Sequence, residues 1–143
     1  MLTQRSRYGL RAMLYLATQV PGGPPVPMNR IAATANVPRK FLELILADLR
    51  EAGFLHSHRG KTGGYRLSRP PHLISLGEII RVIEGPLALV PCVSRTAYRP
   101  CLDCKDEATC AIRLTMARVR DETARILDGT SLADATAREM AAA

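Results

Sequence analysis

The chain is short of aromatic side chains, of long apolar stretches and of nucleotide-binding motifs, and each shortage closes off a class of function. Aromatics make up 4% of its 143 residues, too few for the stacking platforms that bind single-stranded nucleic acid. No apolar run approaches the ~18 residues needed to span a bilayer. The opening MLTQRSRYGLRAMLYL has basic and then apolar residues but no small-residue cleavage site after a smooth apolar core. It is expected to be the first helix of a mature cytoplasmic protein. The segment RGKTGG lacks the order of a P-loop, which needs GxxxxGK followed by Ser or Thr and then a helix. No general base stands beside a nucleophile, and no thioredoxin-like βαβ pattern surrounds CLDC. The expectation is that this is not an enzyme.

What remains is a chain with enough apolar residues, 47%, for one domain or a small domain plus an appendage. Its net charge of +7 is uneven. Residues 1–70 carry 11 Lys and Arg against 3 Asp and Glu, or +8, whereas residues 71–143 carry 9 against 10, or −1. A basic half suits a polyanion, and the scarcity of aromatics favours duplex DNA. The plainer alternative is a solvated basic surface.

All four cysteines fall between Cys92 and Cys110, spaced C-x8-C-x2-C-x5-C. Disulfides suit secreted domains and not a reducing cytoplasm. Soft thiolates select zinc or iron–sulfur clusters, yet the spacing matches neither the paired zinc patterns nor the regular ferredoxin runs. A metal or cluster site, redox thiols and idle cysteines all stay open at this point.

Taken in order, residues 4–19 form an expected helix, with Tyr8, Ala12, Tyr15 and Leu16 on one side. The loop VPGGPPVP follows. Asn29 is the expected N-cap of a short alanine-rich helix, Asn36 suits a left-handed turn and Pro38 the start of the next helix. Leu42, Ile45, Leu46 and Leu49 make that helix's buried stripe, leaving Arg39, Lys40 and Glu43 off it near the N-terminal end. Two helices with a tight turn make a helix-turn-helix, although any two-helix hairpin has the same pattern. The next two stretches, FLHSH and YRLS, are expected strands joined by RGKTGG. This hairpin, carrying Arg59, Lys61, Thr62 and Arg66, would be a wing on the phosphate backbone or minor groove. His56 and His58 are expected on the strand surface. Ser75 and Glu78 stand at capping-box spacing before a helix that Gly85–Pro86 stops. The cysteine segment has weak periodicity, and an irregular stretch of that length is usually functional. From about Glu107 to Asp128 a long helix is expected. On it Ile112, Met116, Val119, Thr123 and Ile126 recur at coiled-coil spacing. A two-fold dimer seam is one reading of that row, and packing on the chain's own first helix is the other. A last short helix is expected after Ser131 as its cap.

The segments RYGLRAMLYLA, FLELILADLREAGFL and RGKTGGYRLS followed by ISLGEIIRVIEG resemble the Rrf2 family of winged-helix transcription regulators across nearly the whole chain. That family includes the iron–sulfur cluster regulator, the nitric-oxide-sensing repressor and the rhizobial iron regulator. The resemblance implies a mainly α fold with a small β wing: a winged helix-turn-helix over 1–85, a cysteine-rich cluster-binding loop over 86–107, and a dimerisation helix with its tail over 108–143. It implies a cytoplasmic homodimer on a pseudo-palindromic duplex operator, with no membrane partner. It also implies a [2Fe-2S] or [4Fe-4S] cluster sensing redox, nitric oxide or iron status. Cys92, Cys104 and Cys110 match the family's three ligands, with Cys101 either a fourth ligand or in the second slot with Cys104 spare. Arg113 cannot serve as a neutral ligand. Glu43 falls where a carboxylate would accept from a cytosine amino group or repel the wrong sequence. Some members lack a cluster, so a regulator using its thiols as a redox switch or a structural zinc site is the alternative.

Overall fold

Apolar residues at helical spacing draw the first helices together, and the computed structural model, which describes residues 2–143, shows what they enclose. Helix α1 (Gln4–Ala17) starts at Thr3, whose hydroxyl accepts from the Ser6 amide at 3.3 Å, and buries Ala12, Met13 and Leu16. Helix α2 (Met28–Ala35) ends at Asn36, in the left-handed conformation at φ 53°. Asn tolerates that conformation best among residues with a Cβ. Helix α3 (Arg39–Glu51) turns Leu42, Ile45, Leu46 and Leu49 into the core with no measurable exposure. That stripe is the expected one.

Strands β1 (Leu55–His58) and β2 (Gly64–Leu67) pair antiparallel, with Leu55 opposite Leu67 and Ser57 opposite Tyr65. The proline-rich loop adds a rung, because Val26 and Tyr65 exchange backbone hydrogen bonds of 2.8 and 2.9 Å. Gly64 makes this possible, since a Cβ there would stand 2.2 Å from the Val26 carbonyl oxygen. His56 and His58 are exposed on β1. Helix α4 (Leu76–Glu84) opens with the full Ser75–Glu78 capping box. It crosses α1 at Gly9, where a Cβ would collide with Ile83 at 2.3 Å.

Irregular chain then runs to helix α5 (Ala111–Asp128), broken by one short 3-10 turn at Pro91–Val93. None of the 18 residues of α5 is buried. Helix α6 (Leu132–Ala142) returns to pack on α1, and Leu132 is fully enclosed in the core. Its start is pinned by backbone bonds from Leu132 to Ile74 (2.8 Å) and from Leu76 to Thr130 (2.9 Å).

Two expectations need correction. Asn29 is not the cap of α2: Pro27 holds that position without a side-chain bond, and Asn29 lies in the first turn, accepting from Arg39. Helix α5 begins at Ala111 rather than near Glu107, because Asp106 accepts from the Ala108 amide and the Thr109 hydroxyl in a separate turn. Such local side-chain bonds compete with helix.

Candidate nucleic-acid interface and metal centre

The buried stripe of α3 forces its other face outward. Arg39, Lys40, Phe41, Glu43 and Leu44 are all exposed near its start. Arg39 donates to Asn29 Oδ1 at 2.8 Å, and its Nε lies 3.4 Å from Glu43 Oε1. The Lys40 ammonium sits 4.9 Å from the Phe41 ring centre. Fixing Arg39 between two acceptors restricts its rotamers, which makes it a directed donor. Phe41 and Leu44 are 45% and 66% exposed. The sequence reading omitted both, although they fall off the stripe and apolar side chains there suit a thymine methyl.

The hairpin turn swings back toward this face. A groove of about 390 Å³ is lined by Asn29, Arg39, Arg50, His58, Arg59 and Lys61 among others, with no acidic side chain among its described residues. Four cations around one concavity focus positive potential. Thr62 is exposed beside the groove. Arg66, opposite His56 on the ladder, instead lines a crease with Leu16, Gln19 and the proline-rich loop. Arg50 was not among the expected contacts, because it sits at the far end of α3 in sequence and only the hairpin brings it in.

Some distance along the chain, all four cysteines border a second cleft, of about 800 Å³. Cys92 is carried by the Pro91–Val93 turn and Cys110 is the N-cap residue of α5, at the positive end of the helix dipole. Cys104 closes a turn, its amide bonding the Cys101 carbonyl at 3.3 Å. Burial pushes the Cys104 thiol up, and the charges of Cys110, Glu107 and Cys92 add to the shift, so these groups stand within electrostatic reach of one another. Cys92, Cys104 and Cys110 are half-buried, whereas Cys101 is exposed. The Cys101 thiol donates to Asp103 at 2.9 Å, and that bond raises its pKa.

All four cysteines are free thiols. Among the described residues no three His, Cys, Asp or Glu side chains converge on a single-ion position. The donor chemistry of the cleft suits a thiolate-bound centre of more than one ion: four soft thiols on its border, the N-terminus of α5 beside them and about 800 Å³ of room. In the same cleft the Nε of Arg113 is buried without a hydrogen-bond acceptor.

This cleft is tied to α5 and, through it, to α4 and the helices packed on it. Arg120 donates to the Val93 carbonyl at 2.6 Å and pairs with Asp121 at 2.8 Å. Asp121 also receives Arg95 at 3.1 Å. At the other end of α5, Asp128 takes two bonds from Arg81 of α4, at 2.6 and 2.9 Å. Along α5, Ile112, Val119 and Ile126 are exposed by 66%, 38% and 56%, and Met116 and Thr123 are half-buried. The helix packs on α4 and on the Pro91–Val93 turn. None of its described helices is long and apolar enough to cross a membrane.

A family model described as Rrf2, iron-dependent transcriptional regulator, matches residues 2–138. An HTH-type transcriptional regulator of Rhodobacter capsulatus, named rrf2-like, is 43% identical over 136 residues, covering 94% of this chain and 91% of that one. The solved structure of CymR, the global cysteine regulator of B. subtilis, superposes with a TM-score of 0.78 at 35% identity, over 96% of this chain and 97% of that one. T. potens IscR superposes at 0.75 with 29% identity, over 97% and 88%.

Proposed function

This chain belongs to the Rrf2 family of transcriptional regulators, and from that premise we propose that it is a homodimeric repressor whose grip on duplex DNA is set by an iron–sulfur centre on Cys92, Cys104 and Cys110. The observation that carries the reading is the grouping of three half-buried thiols in one cleft at the N-terminus of α5. Arg39, Lys40 and Glu43 read base edges from α3, and Arg59, Lys61 and Thr62 hold phosphates from the wing, with Arg66 a flanking contact. A second copy covers the row Ile112, Met116, Val119, Thr123 and Ile126, which the chain itself leaves open.

When bound, the centre supplies one-electron redox chemistry and a linkage that oxidants, nitric oxide or iron shortage can break. The protein's part is mechanical. Cys92 and Cys110 belong to two different segments, so holding both fixes the turn at Pro91–Val93 against α5. A ligand shifts affinity only through its different grip on two arrangements, and a coupling of ~1–3 kcal/mol gives about 5–150-fold. Cys101, exposed and bonded to Asp103, is the spare thiol in this assignment.

The test is iron and acid-labile sulfide analysis of anaerobically purified protein, followed by operator binding at one salt concentration. Serine at Cys92, Cys104 or Cys110 is expected to remove the centre and change affinity, while Cys101→Ser leaves both intact. Equal affinities for holo protein, apo protein and all variants would overturn the sensing role. One observation favours a second reading. Cys101 and Cys104 share a turn, which suits a thiol switch. Under that reading the protein carries no iron, and Cys101→Ser abolishes its response to oxidant; zinc in place of iron would indicate a structural site.

A further inference from the structure

Arg113 occupies the first turn of α5, where a cation meets the positive end of the helix dipole. No acidic residue of the helix's own first turn offsets it. Its side chain borders the cysteine cleft, and its Nε is buried with no acceptor. The nearest carboxylate, Glu107, is 3.7 Å from that nitrogen, too far for a hydrogen bond. Its other oxygen accepts the Tyr98 hydroxyl at 2.5 Å, so Glu107 offsets the guanidinium's charge without accepting the Nε proton. A guanidinium stays charged at any accessible pH and offers only donors. A buried donor without an acceptor is costly, and a sulfur acceptor in the cleft would remove that cost. Four thiols border the same cleft, and the three taken as ligands, as thiolates, and any sulfide between them are anionic acceptors.

Resting on the cluster reading above, we infer that Arg113 donates through Nε to sulfur of the centre held by Cys92, Cys104 and Cys110 and raises its reduction potential, with Glu107 opposing it. One-electron reduction by a low-potential donor adds one negative charge to the centre and makes or breaks no bond. A neighbouring fixed cation stabilises that added charge, and a neighbouring carboxylate destabilises it. The pair therefore works as a trim on the potential. Arg113 is a positioning and tuning residue here and not a ligand.

The two members of the pair must act with opposite sign, which a purely structural role would not produce. The experiment is an anaerobic spectroelectrochemical titration of the purified protein with mediators, alongside iron and sulfide analysis. Arg113→Gln is expected to keep wild-type iron and sulfide and to lower the reduction equilibrium about tenfold, ~59 mV more negative for one electron. Arg113→Lys, which keeps the charge, returns most of that shift. Glu107→Gln moves the potential the other way. Should Arg113→Gln fail to assemble a centre, the sign of the Glu107→Gln shift decides alone. Potentials that match wild type in every loaded variant would overturn the role of Arg113 and leave the cluster reading standing. Wild-type protein without iron and sulfide would overturn the cluster reading, and this inference with it.

Discussion

Glu84 accepts from the Ser6 hydroxyl and the Thr3 amide, both at 2.6 Å, and so joins the end of α4 to the start of α1. Those bonds, the Ser6 one foremost, hold its carboxyl below the usual carboxylate range. A depressed folded pKa adds stability above the unfolded value, ~4.3, and that stability is lost as pH falls through the folded value. Glu84→Gln should therefore be less stable than wild type in urea at pH 7, with the gap closing below about pH 4.3. A gap that stays constant down to pH 3 would show that the ionised form contributes nothing. Residues of this kind divide into those with a local signature and those without. Asn36 and the Ser75–Glu78 pair were legible because a left-handed turn and a capping box are each closed within a few residues. Asn29 misled because its partner is Arg39, on the next helix. The stranded Nε of Arg113 has no signal in sequence at all, since only the folded cleft removes its water.

At the scale of elements, the stripe of α3 and the hairpin were legible, but the extra rung from Val26 was not. A loop of four prolines gives no strand signal, and the rung forms only because Gly64 admits the close approach. Docking the hairpin this way aims Arg59 and Lys61 at the groove they share with Arg39 and Arg50. Replacing Arg59 and Lys61 with alanine should weaken binding to all duplexes alike and reduce the slope of log affinity against log salt by roughly 1 per residue. An unaltered slope would remove the wing from the interface. Leu44→Ser, on the exposed face of α3, should instead alter the preferred sequence and leave the slope unchanged. The return of α6 to α1 was likewise invisible, because a short alanine-rich helix carries little pattern and Leu132 is a single anchor.

The whole molecule is lopsided in charge and in burial: a basic, well-enclosed half, and a helix with no buried residue projecting from it. An amphipathic helix left this open asks for a partner surface. The row Ile112, Val119 and Ile126 was legible from its spacing, whereas the choice between a seam with a second copy and packing on α1 was not. In the structure α6 takes the place on α1. Val119→Glu should bury a charge in the seam at a cost of about 3–5 kcal/mol, and sedimentation should then show monomer. A dimer of unchanged stability would move the interface off α5.

The paired bonds between Arg81 and Asp128 have one more consequence. Gly77 leaves no spare room beneath them, since a Cβ there would touch Asp128 Oδ1 at 2.0 Å. That end of α5 is thus a fulcrum. At 1.5 Å per residue the helix is a lever arm roughly 27 Å long, with Cys110 at its far end. A displacement of ~3 Å at the tip turns the arm by about 6° on that length. A stiff fulcrum passes the turn to α4 and so to α1 and α3, which pack on it, while a slack one lets the arm swing idly. Asp128→Asn should accordingly leave operator binding by the apo protein unchanged and bring the holo protein's affinity toward the same value.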